Sequence, residues 1–432
     1  MNNKPPQYPA YKPSGVDWLG EIPEYWECIR MKHLYRDHSE KNKPNSELLS
    51  VTQDQGVVPR TWVENRMVMP SGALESFKFI KKGDFAISLR SFEGGLEYCH
   101  HDGIISPAYT VLKAKRDFFN QFYKYLFKSY SFISELQTSV VGIRQGKNIS
   151  YAELSYSLLP IPTYSEQISI ANFLDCKTAL IDQAIGIKEK QIELLKERRQ
   201  ILIHRAVTKG INPNVKLKES GVEWIGEIPE HWEIRPSRFI GNTQNGISKG
   251  AEYFGTGFPF VSYGDVYKDI KIPNEVNGLA NSSVEDRKQY SVTEGDIFFT
   301  RTSETIEEIG FSSVCLQTIE NATFSGFLIR FRPQVNILNK EFSKYYFSSK
   351  THRAFFVKEM NLVIRASLSQ ELLKNLPVLI PPMEEQNEIA IYLDNLTSKI
   401  AIAISLKEQE IEKLKEYKAS LINEVVTGKI KV

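Results

Sequence analysis

Ser14-Gly15-Val16-Asp17-Trp18-Leu19-Gly20-Glu21-Ile22-Pro23-Glu24-Tyr25-Trp26-Glu27 returns 206 positions later as Ser220-Gly221-Val222-Glu223-Trp224-Ile225-Gly226-Glu227-Ile228-Pro229-Glu230-His231-Trp232-Glu233, with 11 of 14 residues identical. A segment this long and this similar marks the chain as an internal duplication. Further matches follow at an offset of 219. Glu166-Gln167 repeats as Glu385-Gln386, Leu174-Asp175 as Leu393-Asp394, and Val207-Thr208 as Val426-Thr427. The larger offset places 13 extra residues in the second half, between the two sets of matches. Each half therefore reads as a tryptophan-bearing lead-in, a long divergent stretch, and then a helical stretch.

The helical stretches carry the strongest pattern. Thr163-Tyr164-Ser165-Glu166 has the Thr-x-x-Glu form of a capping box, and Pro381-Pro382 precedes Glu384 and Glu385 at the second start. Spacings alternating between four and three then run Ile181, Ile185, Lys188, Ile192, Leu195, Arg199, Leu202, Ala206. The second copy runs Ile400, Ile404, Lys407, Ile411, Leu414, Lys418, Leu421, Val425. Both stripes are apolar at the same six places and basic at the same two. That is the seam of a coiled coil, with cations placed to fix its register. Gly210 and Gly428 follow as helix-closing residues. At about 1.5 Å per residue, 165–207 would span roughly 65 Å, the length of a rod rather than of a core helix.

The divergent stretches, about 28–160 and 234–380, read as mixed and strand-rich. Phe77–Ile80, Asp84–Leu89, Ala108–Leu112 and Phe327–Phe331 are short, aromatic or β-branched, and bounded by turn residues. Gly83-Asp84 and Gly295-Asp296 precede equivalent strands, and short helices are expected at Asn120–Lys128 and Lys340–Ser348. The fold class expected is mixed α+β: two globular α/β domains joined by two long antiparallel coiled-coil helices with internal pseudo-two-fold symmetry. The expected divisions are 1–160 and 212–380 for the domains, with 161–211 and 381–432 for the helices.

Composition bounds the function. The chain is 41% hydrophobic and 25% charged, with 54 Lys+Arg against 52 Asp+Glu, which excludes disordered, collagenous and disulfide-scaffold classes. No run approaches the roughly 18 consecutive apolar residues of a membrane span, so no membrane partner is expected. Met1-Asn2-Asn3-Lys4-Pro5-Pro6 lacks a secretory core, and Cys28, Cys99, Cys176 and Cys315 form no CxxC pair. A cytoplasmic protein with free thiols is expected. No Asp-Pro-Pro-Tyr-like methylation motif, P-loop or spaced metal-ligand set is present, so no catalytic, cofactor or metal site is expected in this chain.

The two lead-ins, together with Ile161-Pro162 through Glu166-Gln167 and its copy at Pro381 to Gln386, resemble the specificity (S) subunit of type I restriction–modification systems. Gly94-Gly95 with Ser106-Pro107-Ala108-Tyr109 is similar to one class of that family's target recognition domain; the second half has Thr323-Phe324-Ser325-Gly326-Phe327 nearby instead. The resemblance covers essentially the whole chain. It implies a non-catalytic DNA-recognition subunit in which each recognition domain reads one half of a split, asymmetric double-stranded target. The helix pair would set the spacer and dock two adenine-N6 methyltransferase subunits, with motor–nuclease subunits joining. S-adenosylmethionine, ATP and Mg would belong to those partners. Two other readings stay open here: a coiled-coil adaptor without DNA reading, and the recognition part of a fused methyltransferase–nuclease.

DNA contact needs cations for phosphate and polar side chains for base edges. Residues 28–158 carry a net charge of +5 and residues 234–380 of +2. Candidates lie where polar or basic residues interrupt strand-like patterning. In the first domain they are Arg90, Ser91, Phe92, Arg144, Gln145 and Lys147; in the second, Lys249, Arg301, Thr302, Ser303, Arg365 and Ser367. Trp18, Trp26, Trp224 and Trp232 are expected to be structural anchors pinning each domain to the helix pair, not stacking platforms for bases.

Overall fold

The computed structural model describes residues 6–63, 74–88, 91–141, 148–302, 309–349, 352, 354–356 and 367–432. The chain divides into two compact units, Met1–Glu189 with Glu408–Val432, and Lys190–Lys407.

In the first unit, Tyr11–Pro13 pairs with Glu21–Pro23 as a hairpin, and Glu27–Arg30 pairs with Leu158–Ile161. A four-stranded antiparallel sheet lies in the order Tyr35–His38, Thr110–Ala114, Phe85–Ile87, Glu97–Tyr98. Period-two alternation splits its side chains between two cores. Tyr35, Phe85, Ile87 and Leu112 enter the larger core with the lead-in and long-helix residues, while Ala86 and Val111 enter a smaller one with Val57, Ile80 and Cys99.

The second unit repeats this plan. Leu217–Glu219 pairs with Glu227–Pro229, and Glu233–Pro236 with Pro377–Ile380. Its sheet runs Gly241–Asn245, Leu328–Pro333, Ile297–Thr300, Ser312–Val314, the same order in sequence terms. Ile297, Phe299, Ile329 and Phe331 face the larger core, and Phe298 and Leu328 the smaller. The Gly-Asp pair has one structural job in both units. Gly83 (φ 95°) and Gly295 (φ 87°) adopt the left-handed region, and the following carboxylates accept from Lys81 N at 3.1 Å and Thr293 N at 2.8 Å. The expected short helices form at Asn120–Leu126 and Lys340–Ser348.

The long helices run Tyr164–Lys209 and Met383–Val426. Within the first unit, Ile181 and Ile185 share a core with Leu414, Leu421 and Val425. Lys188 pairs with Glu410 at 2.5 Å and Lys418 with Asp182 at 2.6 Å, so numbers rise along one helix as they fall along the other: the pairing is antiparallel. Within the second unit, Ile203, Ala206 and Val207 share a core with Ile389, Ala390 and Leu393. Ile181, Ile192, Ile400, Ile404, Ile411 and Leu421 are buried; Ile185, Leu195, Leu202 and Leu414 are half-buried. Met383–Val426 is the one described helix long and apolar enough to cross a membrane by composition, yet its apolar seam positions are covered by protein.

The Thr-x-x-Glu start is only half a capping box. Thr163 Oγ1 accepts from Glu166 N at 3.4 Å, but the Glu166 carboxylate turns away to the lead-in, accepting from Trp26 Nε1 at 3.0 Å, Tyr8 OH at 2.6 Å and Tyr25 OH at 3.0 Å. A buried indole N–H offers a stronger claim on that carboxylate than an exposed backbone N–H does.

Candidate nucleic-acid interface

The surface residues are held by a framework that the repeated motifs build. Trp26 and Trp232 are fully buried. Trp26 donates to Glu166 at the start of the first long helix and lies beside Gly428 at the end of the second; a Cβ on Gly428 would come within 3.1 Å of its ring. Trp232 donates to Glu385 at 2.8 Å at the start of the second helix, with Gly210 at the end of the first 3.4 Å from its ring by the same measure. Each tryptophan thus clasps the start of one long helix and the end of the other. Trp18 packs edge-on against Phe132, and Trp224 packs at a tilt against Phe355, as apolar anchors.

The following glutamines do a second job. Gln167 accepts from Phe119 N and donates to Pro162 O, both at 2.9 Å; Gln386 accepts from Asn339 N at 2.7 Å and donates to Ile337 O and Pro381 O at 2.9 Å. A Lys-Tyr pair then grips the Asp of the Leu-Asp repeat. Lys124 and Tyr125 reach Asp175, and Lys344 and Tyr345 reach Asp394 at 2.8 and 2.6 Å. These contacts fix the short helix of each unit, Asn120–Leu126 or Lys340–Ser348, on its long-helix segment.

In the second unit, four of the six expected contact residues fall among the described ones. Three of them are adjacent. Arg301 extends the strand Ile297–Thr300, its N donating to Phe327 O at 2.9 Å and its carbonyl accepting from Leu368 N at 2.7 Å. Thr302 forms an isolated antiparallel bridge with Ser367. The Arg301 guanidinium reaches Gly326 O at 3.5 Å and enters no ion pair among the described residues. Gly326 admits a close approach: its N donates to Ile247 O at 2.8 Å, and a Cβ there would meet Ser248 Oγ at 2.1 Å. That brings the loop bearing exposed Lys249 beside the Gly326-Phe327 turn. Ser303 and Arg365 lie outside the described residues. Phe327, 63% exposed at the centre of this surface, escaped sequence reading because it looked like the first residue of a strand that begins at Leu328.

The first unit is different. Arg90, Arg144, Gln145 and Lys147 lie outside the described residues. Ser91 opens the short helix Ser91–Gly94, is fully buried, and accepts from Ser88 N at 2.8 Å. It therefore has a turn-capping place inside the fold, not a surface for bases. Phe92 is half-buried. Gly95 (φ 79°) closes the helix where a Cβ would strike Phe127 O at 2.0 Å, which accounts for the second glycine of the Gly94-Gly95 pair. Beside it the fully buried Glu97 meets Lys128 at 2.7 Å, and burial pushes its carboxyl up to about 7 against the pull of that cation. Ser106–Tyr109 forms a turn ahead of its strand, in the place of Ser325–Phe327. Trp62, 61% exposed and edge-on to His101 at 5.0 Å, is an exposed aromatic that sequence reading passed over.

Such surfaces supply guanidinium and ammonium donors, hydroxyls and aromatic faces, the groups that contact phosphates and base edges. Residues 229–415 match the family described as type I restriction modification DNA specificity domain. The chain is 23% identical to the MjaVIII type I restriction enzyme specificity subunit of Methanocaldococcus jannaschii, across 95% of this chain and 94% of that one. It is 27% identical to the EcoKI specificity subunit of Escherichia coli K12, across 66% and 60%. The fold is similar to a chain from a structure describing assembly and conformational transition of a type I R-M system (TM-score 0.70, 16% identity, 95% and 99% covered). It is also similar to the HsdS subunit of Thermoanaerobacter tengcongensis (TM-score 0.56, 16% identity, 95% and 98% covered).

Proposed function

Because the chain belongs to the family of type I restriction–modification specificity subunits, we propose that it is the DNA-reading subunit of such an enzyme and performs no catalysis itself. Each unit reads one half of a split target, and the paired helices set the spacer between halves. Two adenine-N6 methyltransferase subunits dock on the helix pair, and motor–nuclease subunits complete the enzyme. S-adenosylmethionine, ATP and Mg act in those partners. The assembly works in the cytoplasm, where its DNA is. The recognition domains are taken as 1–160 and 212–380, with 161–211 and 381–432 as spacer and docking helices.

The observation that carries this reading is the second unit's surface, where Arg301, Thr302 and Ser367 converge beside exposed Phe327 and Lys249. Of the candidates on the first unit, Arg90, Arg144, Gln145, Lys147 and Phe92 remain proposed contacts. The different turns, Ser106–Tyr109 against Thr323–Phe327, favour two unlike half-sites. Genome-wide mapping of N6-methyladenine with and without this chain tests the proposal. A split, asymmetric motif should vanish on deletion; an unchanged methylation pattern in a host carrying active partner subunits would overturn it.

A further inference from the structure

The two sheets share one strand order, so each position on one edge has an equivalent on the other. Arg36 stands directly opposite Lys113, as Asn242 stands opposite Arg332. Lys115 N donates to Leu34 O at 2.7 Å, as Gln334 N does to Ile240 O. Arg116 and Val335 follow. The equivalent positions hold very different charge. In the second unit Arg332 is consumed by Asp296, with Nε and Nη2 both at 2.6 Å, and its neighbours Asn242, Gln334 and Val335 are uncharged. In the first unit all four residues are cations, and among the described residues none enters an ion pair. Asp84, the equivalent of Asp296, likewise accepts from the backbone, at Lys81 N, but it acts on Lys113 only through space and forms no salt bridge with it.

Like charges directly opposite on a sheet are destabilising, and the one nearby carboxylate, Asp84, attracts Lys113 through space without an ion-pair contact, so Arg36 facing Lys113 is an arrangement the fold alone does not favour. Asp37 lies on the other face of the strand. Charged residues often guard an exposed strand edge against pairing. Here, however, the equivalent edge Gly241–Asn245 has no charged residue at all, so the architecture does not require them. The cationic surface continues to exposed Arg30 and to Lys32, whose Nζ lies 4.6 Å from the ring centre of exposed Tyr156, while Lys115 Nζ donates to Lys32 O at 2.6 Å.

We infer that the edge formed by Arg36, Lys113, Lys115 and Arg116 is a sequence-independent contact for the DNA phosphate backbone, present on the first unit and missing from the second. The inference rests on the DNA-reading proposal and adds a site to it. Phosphate oxygens would separate the facing cations and release condensed counterions, a gain that depends on salt. The two units therefore hold DNA unequally: the first by backbone charge as well as by its reading surface, the second by its reading surface alone.

The test uses the full chain assembled with its methyltransferase subunits. Binding to duplex lacking the target is measured over a range of salt for the parent, for the triple variant Arg36→Gln/Lys115→Gln/Arg116→Gln, and for the charge-keeping variant Arg36→Lys/Lys115→Arg/Arg116→Lys. Each lost phosphate contact removes about 0.9 from the slope of log K against log salt. A slope shallower by about 2 to 3 is expected for the neutral variant, with the methylated motif unchanged and the charge-keeping variant like the parent. A parent slope in a folded, assembled neutral variant would overturn the inference. Loss of methyltransferase assembly with the slope intact would also overturn it, by assigning the edge to a protein partner. Absence of DNA binding by the parent complex would instead defeat the underlying proposal.

Discussion

At the residue scale the clearest energetic signature is Glu97. It is fully buried, paired with Lys128, and its carboxyl is pushed up from 4.5 to about 7 because burial outweighs the cation. The folded state therefore binds the proton more tightly than the unfolded chain. Stability from this group is full below about pH 4.5 and is lost as pH rises through 7. A tenfold difference in proton affinity between the folded and unfolded chain is worth roughly 1.36 kcal/mol, so over about pH 5 to 8 the first unit should lose up to about 3 kcal/mol relative to a Glu97→Gln variant. Denaturant titrations of both proteins across that range check this, and parallel profiles would contradict it. No sequence pattern announces such a pair: Glu97 and Lys128 are 31 positions apart and meet only because Gly95 lets the chain pass against Phe127. Ser91 shows the opposite failure. A polar residue after an apolar strand reads as surface, yet its hydroxyl is spent on the Ser88 turn inside the fold.

At the element scale much was legible. The seams stood out because a coiled-coil stripe is periodic, and the apolar positions along it are buried or half-buried. The lead-in stood out because it is repeated, and its tryptophans were readable as anchors. Their partners were not, since Glu166 and Glu385 sit where a local cap would suffice and instead make contacts across 140 and 153 residues. The sheets were visible only as separate strands; their common order depends on long-range pairing that one sequence does not display. The clasp gives a direct prediction. Glu385→Ala leaves the buried Trp232 N–H without its acceptor and should destabilise the second unit by about 1–3 kcal/mol in chemical denaturation. A change below about 0.5 kcal/mol would show that the indole needs no such partner.

At the scale of the whole molecule, the duplication joins two related units through helices that contribute segments to both. The first long helix begins in the core with Tyr8, Trp26 and Phe122, and its last turns enter the core with Trp232; the second helix does the reverse. A length change in the helix pair would then act on the spacing of half-sites and not on their sequences. One added heptad preserves the seam and adds about 10 Å of helix, close to three base pairs at about 3.4 Å each. The decisive measurement is the methylated motif of an enzyme carrying one extra heptad in each long helix. Unchanged half-sites with a spacer about three base pairs longer are expected in any active variant; an active enzyme that keeps the original spacer would rule out the helix pair as the ruler.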